Sequence, residues 1–232
     1  MIVLAVDASG PVAGVGLMKD ERVLYEAVAD LGRTHSEALM PMVEAAMSAA
    51  GLEASEVDLF AAVAGPGSFT GVRIGVCAVQ ALSQATGKPC VRLNALEVLC
   101  EGQFGFEGAV CPILDARRGQ VYAAAFRRAG GASERLMEDA ALALDDFLDM
   151  LPESGRLLFV GDGVQAHGAR IAQRLGERAL IAPPAHARIM PSAACRLAQK
   201  QSDRATDAAQ LRPIYLRAPQ AEREREAGIR HG

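Results

Sequence analysis

The sequence predicts an α/β protein built from two related halves, and three observations carry that reading. A strand that ends in Asp-Ala and doubles back occurs twice. Ile2 to Val6 runs into Asp7-Ala8-Ser9-Gly10 and returns as Ala13 to Met18, and Val110 to Leu114 runs into Asp115-Ala116-Arg117-Arg118-Gly119 and returns as Gln120 to Phe126. Further on in each half, a strand leads into a Gly-x-Gly loop and then a helical pattern: Leu59 to Ala64 into Gly65-Pro66-Gly67, and Leu157 to Val160 into Gly161-Asp162-Gly163. Finally, 232 residues of which 50% are hydrophobic and 22% charged can bury the core of one large or two small domains. Periodicity lapses in the Gly-rich stretch from Glu101 to Gly108, which places the first half at 1–102 and a smaller version of the same plan at 103–232. Each half should hold a mixed sheet flanked by helices, five-stranded in the first. The charged tail from Glu222 to Gly232 has little apolar surface and is expected to fray or to pack back on the first half.

In the first half, Thr34 and Glu37 form a capping box that starts a helix running to Ala50, with Gly51 as its stop. Leu39, Val43, Ala46, Met47 and Ala50 make one apolar face, and Ala38, Met42, Ala45 and Ala49 make a second. A helix covering one side of a sheet needs only one such stripe. The stretch after the glycine loop behaves alike. Ser68 or Thr70 can cap a helix from Thr70 to Thr86 whose Val72, Gly75, Val76, Val79 and Leu82 face the sheet, while Ile74, Cys77, Ala78, Ala81 and Ala85 widen the apolar arc. Small residues on these second faces allow another helix to come close, either the neighbouring helix of the same domain or one from another chain.

The loop from Gly65 to Gly71 has two readings: close packing of helix on sheet, or a cradle of free amides for an anion. The Lys-Ser/Thr ending of a Walker loop is missing, with Val72-Arg73 in its place.

Composition excludes several classes. With 24 basic against 28 acidic residues the net charge is -4, which gives no strong attraction to a phosphate backbone, and 4% aromatic content without Trp leaves few platforms for stacked bases. Cys77, Cys90, Cys100, Cys111 and Cys195 form no Cys-x-x-Cys pair and read as buried thiols of a reducing cytoplasm. No apolar stretch reaches membrane-spanning length and Met1 leads straight into a strand, so a soluble cytoplasmic protein is expected. Asp7 and Asp115 stand where a carboxylate could hold a hydrated metal or act as a base, although Asp is also a common turn residue. His35, beside the Thr34 cap, reads as a solvated helix-start histidine. His167, His186 and His231 share no ligand spacing, no His-x-x-x-His pair exists, and no Gly-x-Ser-x-Gly elbow appears, so no zinc or iron site and no complete nucleophile signature is expected.

Taken in order, Asp7-Ala8-Ser9, Thr34-His35-Ser36-Glu37 with Leu39 and Pro41, GPGSFTGVRIG at 65 to 75, Asn94-Ala95-Leu96-Glu97, Asp115-Ala116-Arg117 with Gly119-Gln120-Val121-Tyr122, and Pro213 with Tyr215-Leu216-Arg217 resemble the TsaB (YeaZ) family over nearly the whole chain. The resemblance implies a duplicated actin-like, two-lobe fold of the sugar-kinase and heat-shock ATPase superfamily. It implies a cytoplasmic role in making threonylcarbamoyladenosine beside the anticodon of tRNA, as a non-catalytic partner of the catalytic relative TsaD, joined by the ATPase TsaE. Contact with tRNA would be indirect, and alone the chain would form a homodimer. The catalytic relative carries a metal-binding His-x-x-x-His pair, and here Ala95 and Leu99 occupy those positions.

The family's assembly surface is a bundle of the first two helices of each partner. The resemblance thus turns Ala38, Met42, Ala45, Ala49, Ile74, Cys77, Ala81 and Ala85 into expected interface residues. No cofactor is required on this reading, with weak ATP or ADP binding at Asp7, Ser9, Gly65 and Gly67 as a vestige. The competing expectation is an ATP-dependent phosphotransferase that uses Asp7, Asp115 and the glycine loops.

Overall fold

The structure is a computed structural model that describes residues 1–30 and 34–217. The charged tail singled out above lies outside the described residues. In the first half, strands β1 (Ile2–Asp7), β2 (Ala13–Lys19), β3 (Arg22–Ala29), β4 (Leu59–Val63) and β5 (Cys90–Leu93) form one sheet in the order β3-β2-β1-β4-β5. The second half repeats this with β6 (Gly108–Asp115), β7 (Gln120–Ala129), β8 (Ala132–Ala143), β9 (Leu157–Val160) and β10 (Ala179–Ile181), in the order β10-β9-β6-β7-β8.

The two Asp-Ala hairpins are equivalent elements. Each contributes the central strand, antiparallel to the strand that follows it and parallel to the strand that enters the glycine loop. The duplication read from the sequence is therefore the fold: two mixed sheets flanked by helices.

The second half is reduced in its helices rather than in its sheet. After its three-stranded meander the first half carries α1 (His35–Ala50), of 16 residues, where the second carries α4 (Leu144–Asp149), of 6. The helix after the glycine loop is α2 (Phe69–Thr86), of 18 residues, against α5 (Gly163–Leu175), of 13. Two more, α3 (Ala95–Glu101) and α6 (Pro191–Lys200), complete the α-helices of the described residues.

Local chemistry sets these boundaries. Thr34 and Glu37 form the expected capping box, and Gly51 closes α1 in a left-handed conformation at φ 63°, where a side chain would be strained. Ser68 caps α2 by accepting a hydrogen bond from the Gly71 amide at 3.2 Å, so that helix begins at Phe69, one residue before Thr70.

Two buried clusters hold the molecule together. Leu39, Val43 and Ala46 of α1 and Val72, Val76 and Val79 of α2 pack on one face of the first sheet, against Leu4, Val6, Leu17 and Phe60. The opposite face, with Val3, Ala5 and Leu59, shares a single core with α3, α6 and the second sheet, including Phe147 and Phe159. A buried ion pair crosses this junction. The Arg128 guanidinium of β7 lies 3.8 Å from Glu101 at the end of α3, and Glu101 also receives Lys200 Nζ of α6 at 2.7 Å. Both Arg128 and Glu101 are buried, so each neutralises a charge the other could not leave in the core alone.

Residues 205–217 then run along the open edge of the first sheet. Thr206 and Cys90 exchange backbone hydrogen bonds of 2.8 Å each way, and the Ile214 amide donates to the Ala64 carbonyl at 2.7 Å. Among the described residues no helix is long and apolar enough to cross a membrane.

Candidate functional site

A cleft of about 580 Å³ opens where the two glycine-loop ends of the sheets face each other. The first half contributes Ser9, Gly10, Pro11, His35, Pro66, Gly67, Ser68 and Phe69, and the second contributes Leu114, Asp115, Ala116, Arg117, Tyr122, Asp162, Gln165 and Ala166. Ile214 to Arg217 form its rim. A further cavity of about 310 Å³ shares Ser9, Gly10, Pro11, Leu114, Asp162 and Gln165 with the cleft and reaches Asp7, Asp30 and Arg188.

Asp7 ends β1 and is 3% exposed. Its Oδ1 accepts from the Ser9 amide at 2.8 Å and from Ser9 Oγ at 2.7 Å. Burial pushes the carboxyl up to about 6 from 3.8, against the pull of these hydrogen bonds and of nearby His35, and Asp162 adds to the rise. Asp162 is itself shifted upward, first by burial and then by the charge of Asp115, while the Asp115 amide, donating to Asp162 Oδ1 at 3.0 Å, pulls the other way. Asp115 is less buried, and its Oδ1 accepts from the Arg117 amide at 2.8 Å. The cleft floor is thus acidic, with its deepest carboxylate oxygen already engaged by Ser9.

The two readings of the Gly65–Gly71 loop separate here. A Cβ on Gly67 would overlap the Ser9 carbonyl oxygen and one on Gly71 the Ala8 carbonyl oxygen, while one on Gly65 would stand 2.5 Å from the Ile214 carbonyl oxygen. The Ser68 amide donates to the Ser9 carbonyl at 2.7 Å. The glycines therefore let the loop press on the first hairpin and on the terminal segment, and two of its amides, those of Ser68 and Gly71, already have protein acceptors.

Of the four residues proposed to touch a nucleotide, Asp7, Ser9 and Gly67 line the cleft or its extension, while Gly65 is covered by Ile214. His35 is not simply solvated: its Nε2 lies 2.9 Å from the Gly10 carbonyl oxygen and ties the start of α1 to the hairpin turn. Cys77 is also a correction. It is exposed on the outer arc of α2, whereas Cys90, Cys100, Cys111 and Cys195 are buried, and burial pushes Cys100 up to about 11 and Cys195 to about 12.

Sequence reasoning missed the contribution of Tyr122, Tyr215 and Arg217 to the cleft. Their only signal was their place in the stretches that resemble the family.

Among the expected interface residues, Ala45, Ala49, Cys77, Ala81 and Ala85 are exposed and Ala38 is half-buried, while Met42 and Ile74 are half-buried and pack against the core of the first sheet. Met40, also on α1, is 44% exposed. Ala95 and Leu99 of α3 are buried in the shared core, where a methyl and an isobutyl group pack with Val98 and Ala193. Among the described residues no group of three His, Cys, Asp or Glu side chains is placed to hold a metal ion.

Residues 29–225 match the family model described as TsaD: tRNA N6-adenosine threonylcarbamoyltransferase. Over 223 residues, 96% of each chain, the protein is 33% identical to the tRNA threonylcarbamoyladenosine biosynthesis protein TsaB of Bacillus subtilis (strain 168). The chain belongs to the TsaB family. The TsaB of Escherichia coli (strain K12) is 30% identical over 227 residues, covering 94% of this chain and 95% of that one. A solved structure described as YeaZ from Pseudomonas aeruginosa superposes with a TM-score of 0.76 at 26% identity, covering 93% of this chain and 99% of that one. Family membership and topology together give the duplicated actin-like, two-lobe fold that the resemblance implied.

Proposed function

We propose that this TsaB-family chain is the non-catalytic partner subunit in the synthesis of threonylcarbamoyladenosine in tRNA, binding and activating the catalytic relative TsaD, with the ATPase TsaE joining the pair. The observation that carries this reading is the outward apolar face shared by α1 and α2, which presents Ala45, Ala49, Cys77, Ala81 and Ala85 to solvent. Exposed small residues at helical spacing suit the close approach of helices from a second chain. In the absence of the catalytic partner the same faces pair two copies of this chain, and tRNA is reached only through the complex. The setting is cytoplasmic.

Two contacts in the cleft weigh toward the scaffold over a phosphotransferase. An ATP-dependent phosphotransferase needs free donors for phosphate and a carboxylate free to act as base or to hold magnesium. Here Oδ1 of Asp7 is bound by Ser9 and the Ser68 amide by the Ser9 carbonyl. ATP or ADP binding at Asp7, Ser9 and Gly67 is weak on this reading and is not required.

Reconstitution with TsaD, TsaE, ATP, threonine, bicarbonate and tRNA, supplemented with the activated threonylcarbamoyl donor, tests the proposal. Modification should depend on this chain and proceed equally with Asp7→Ala, while the pure chain turns over no ATP. ATP turnover by the pure protein that Asp7→Ala abolishes would instead establish the phosphotransferase.

A further inference from the structure

We infer that Arg73 is a preset anchor for a carboxylate of the partner subunit, held ready at the end of the α2 face by Phe69 and Tyr215. The inference rests on the reading that α2 docks a partner, and adds the polar contact that fixes its position. Phe69, Arg73, Cys77, Ala81 and Ala85 follow one another at spacing four, so the stripe of small residues continues without a break into Arg73 and Phe69.

Arg73 is the one charged residue in α2. Its guanidinium lies over the Phe69 ring at 3.9 Å from the centroid, and its Nε donates to the Tyr215 hydroxyl at 2.9 Å. The Tyr215 ring stacks on Phe69 at 4.9 Å between centroids and 27° between planes. Tyr215 is itself placed by the Ile214 amide on Ala64 and by Gln80 of α2, whose Nε2 donates to the carbonyls of Ala208 and Leu211 at 3.1 Å each.

An exposed arginine ordinarily loses side-chain freedom when it binds. Here the stack and the Nε bond have already fixed it. Among the described residues neither Nη nitrogen of Arg73 has a hydrogen-bonding acceptor. Two parallel donors on an oriented plane suit the two oxygens of a carboxylate. An arginine flanked by aromatic rings at the margin of an apolar face is also the composition of an interface hot spot.

The test measures association of the full chain with its purified TsaD partner by titration calorimetry at low and at high salt, with circular dichroism on every variant. Arg73→Ala should weaken binding at least about tenfold and flatten its salt dependence. Arg73→Lys should not restore it, because an ammonium lacks the planar fork. Tyr215→Phe, which keeps the ring but removes the hydroxyl that orients Nε, should lie between the native chain and Arg73→Ala.

Wild-type affinity and salt dependence in Arg73→Ala, with Ala81→Arg abolishing binding, would overturn the anchor and leave the helix face standing. If Ala45→Glu and Ala81→Arg also bind normally, the docking reading fails and the anchor with it.

Discussion

Helices α2 and α5 occupy equivalent places, each leaving a glycine loop after the strand beside the central one, yet they present opposite surfaces. α5 sets its exposed Ala166, Ala169 and Ala172 among Gln165, Arg170, Gln173 and Arg174, and its arginines are engaged by α4: Arg170 bonds Asp145 at 3.1 Å and Arg174 pairs with Asp145 and Asp149. α2 exposes Cys77, Ala81, Gln84 and Ala85 with Arg73 as its single charge. One duplicated plan thus yields a helix finished for water and a helix left apolar on its outer side. The difference teaches that the second apolar arc of α2 is not demanded by the fold, since α5 covers its sheet without one.

The ends of β1 and β6 differ in the same sense. Asp7 is buried and locked by Ser9, while Asp115 is less buried and faces Arg117 across 3.6 Å. Both loops press on the hairpin before them, since a Cβ on Gly67 would overlap the Ser9 carbonyl oxygen and one on Gly161 the Ile113 carbonyl oxygen, whereas one on Gly163 would stand 3.0 Å from the latter.

The comparison can be broken first at the junction of the halves. Glu101→Ala leaves Arg128 buried without its carboxylate and should cost about 3 kcal/mol or more in chemical denaturation. Asp145→Ala, in the exposed network of α4 and α5, should leave the denaturation midpoint where it is. Equal effects would show that the shared core does not depend on its ion pair.

The glycine loops sharpen it next. Gly67→Ala forces the loop off the first hairpin and should cost about 3 kcal/mol, whereas Gly163→Ala needs only a small shift and should cost about 1 kcal/mol. Thermal melts of the two variants measure the contrast, and the opposite order would refute the loop-packing account.

A smaller effect is expected at Asp7, and its sign follows from linkage. An acid whose pKa is higher in the folded state binds its proton more tightly there, so its stabilising contribution is full below 3.8 and lost as pH rises through about 6. Asp7→Asn keeps the acceptor for Ser9 but carries no charge to desolvate. Near neutral pH it should be more stable than the native chain by about 2 kcal/mol, with the gain vanishing at acid pH. Urea titrations across that range decide it.

Much of this was legible in the sequence, because local chemistry wrote it. The Thr34–Glu37 box, Gly51, the two Asp-Ala hairpins and the double apolar face of α1 and α2 depend on residues a few positions apart. Long-range consequences were not legible. Nothing near Ser9 indicates that its carbonyl takes the Ser68 amide, or that Gly65 is small because Ile214 crosses it. β8 mixes charged and small residues without clean alternation, since Arg135 on it binds Glu97 at 2.5 Å and Asp139 at 2.6 Å. His35 looked solvated because its partner, the Gly10 carbonyl, stands 25 residues away.

The central claim is that the outer face of α2 is an interface and that of α5 is not, and matched charges on the two helices test it most directly. Ala81→Arg and Ala172→Arg each place a guanidinium at an exposed alanine, so both variants should fold like the native chain by circular dichroism. In analytical ultracentrifugation with and without TsaD, Ala81→Arg should sediment as a monomer and fail to join the complex, having lost several kcal/mol of association to an unpaired buried charge. Ala172→Arg should assemble as the native chain does. Normal assembly of Ala81→Arg, or equal loss in both variants, would contradict the account.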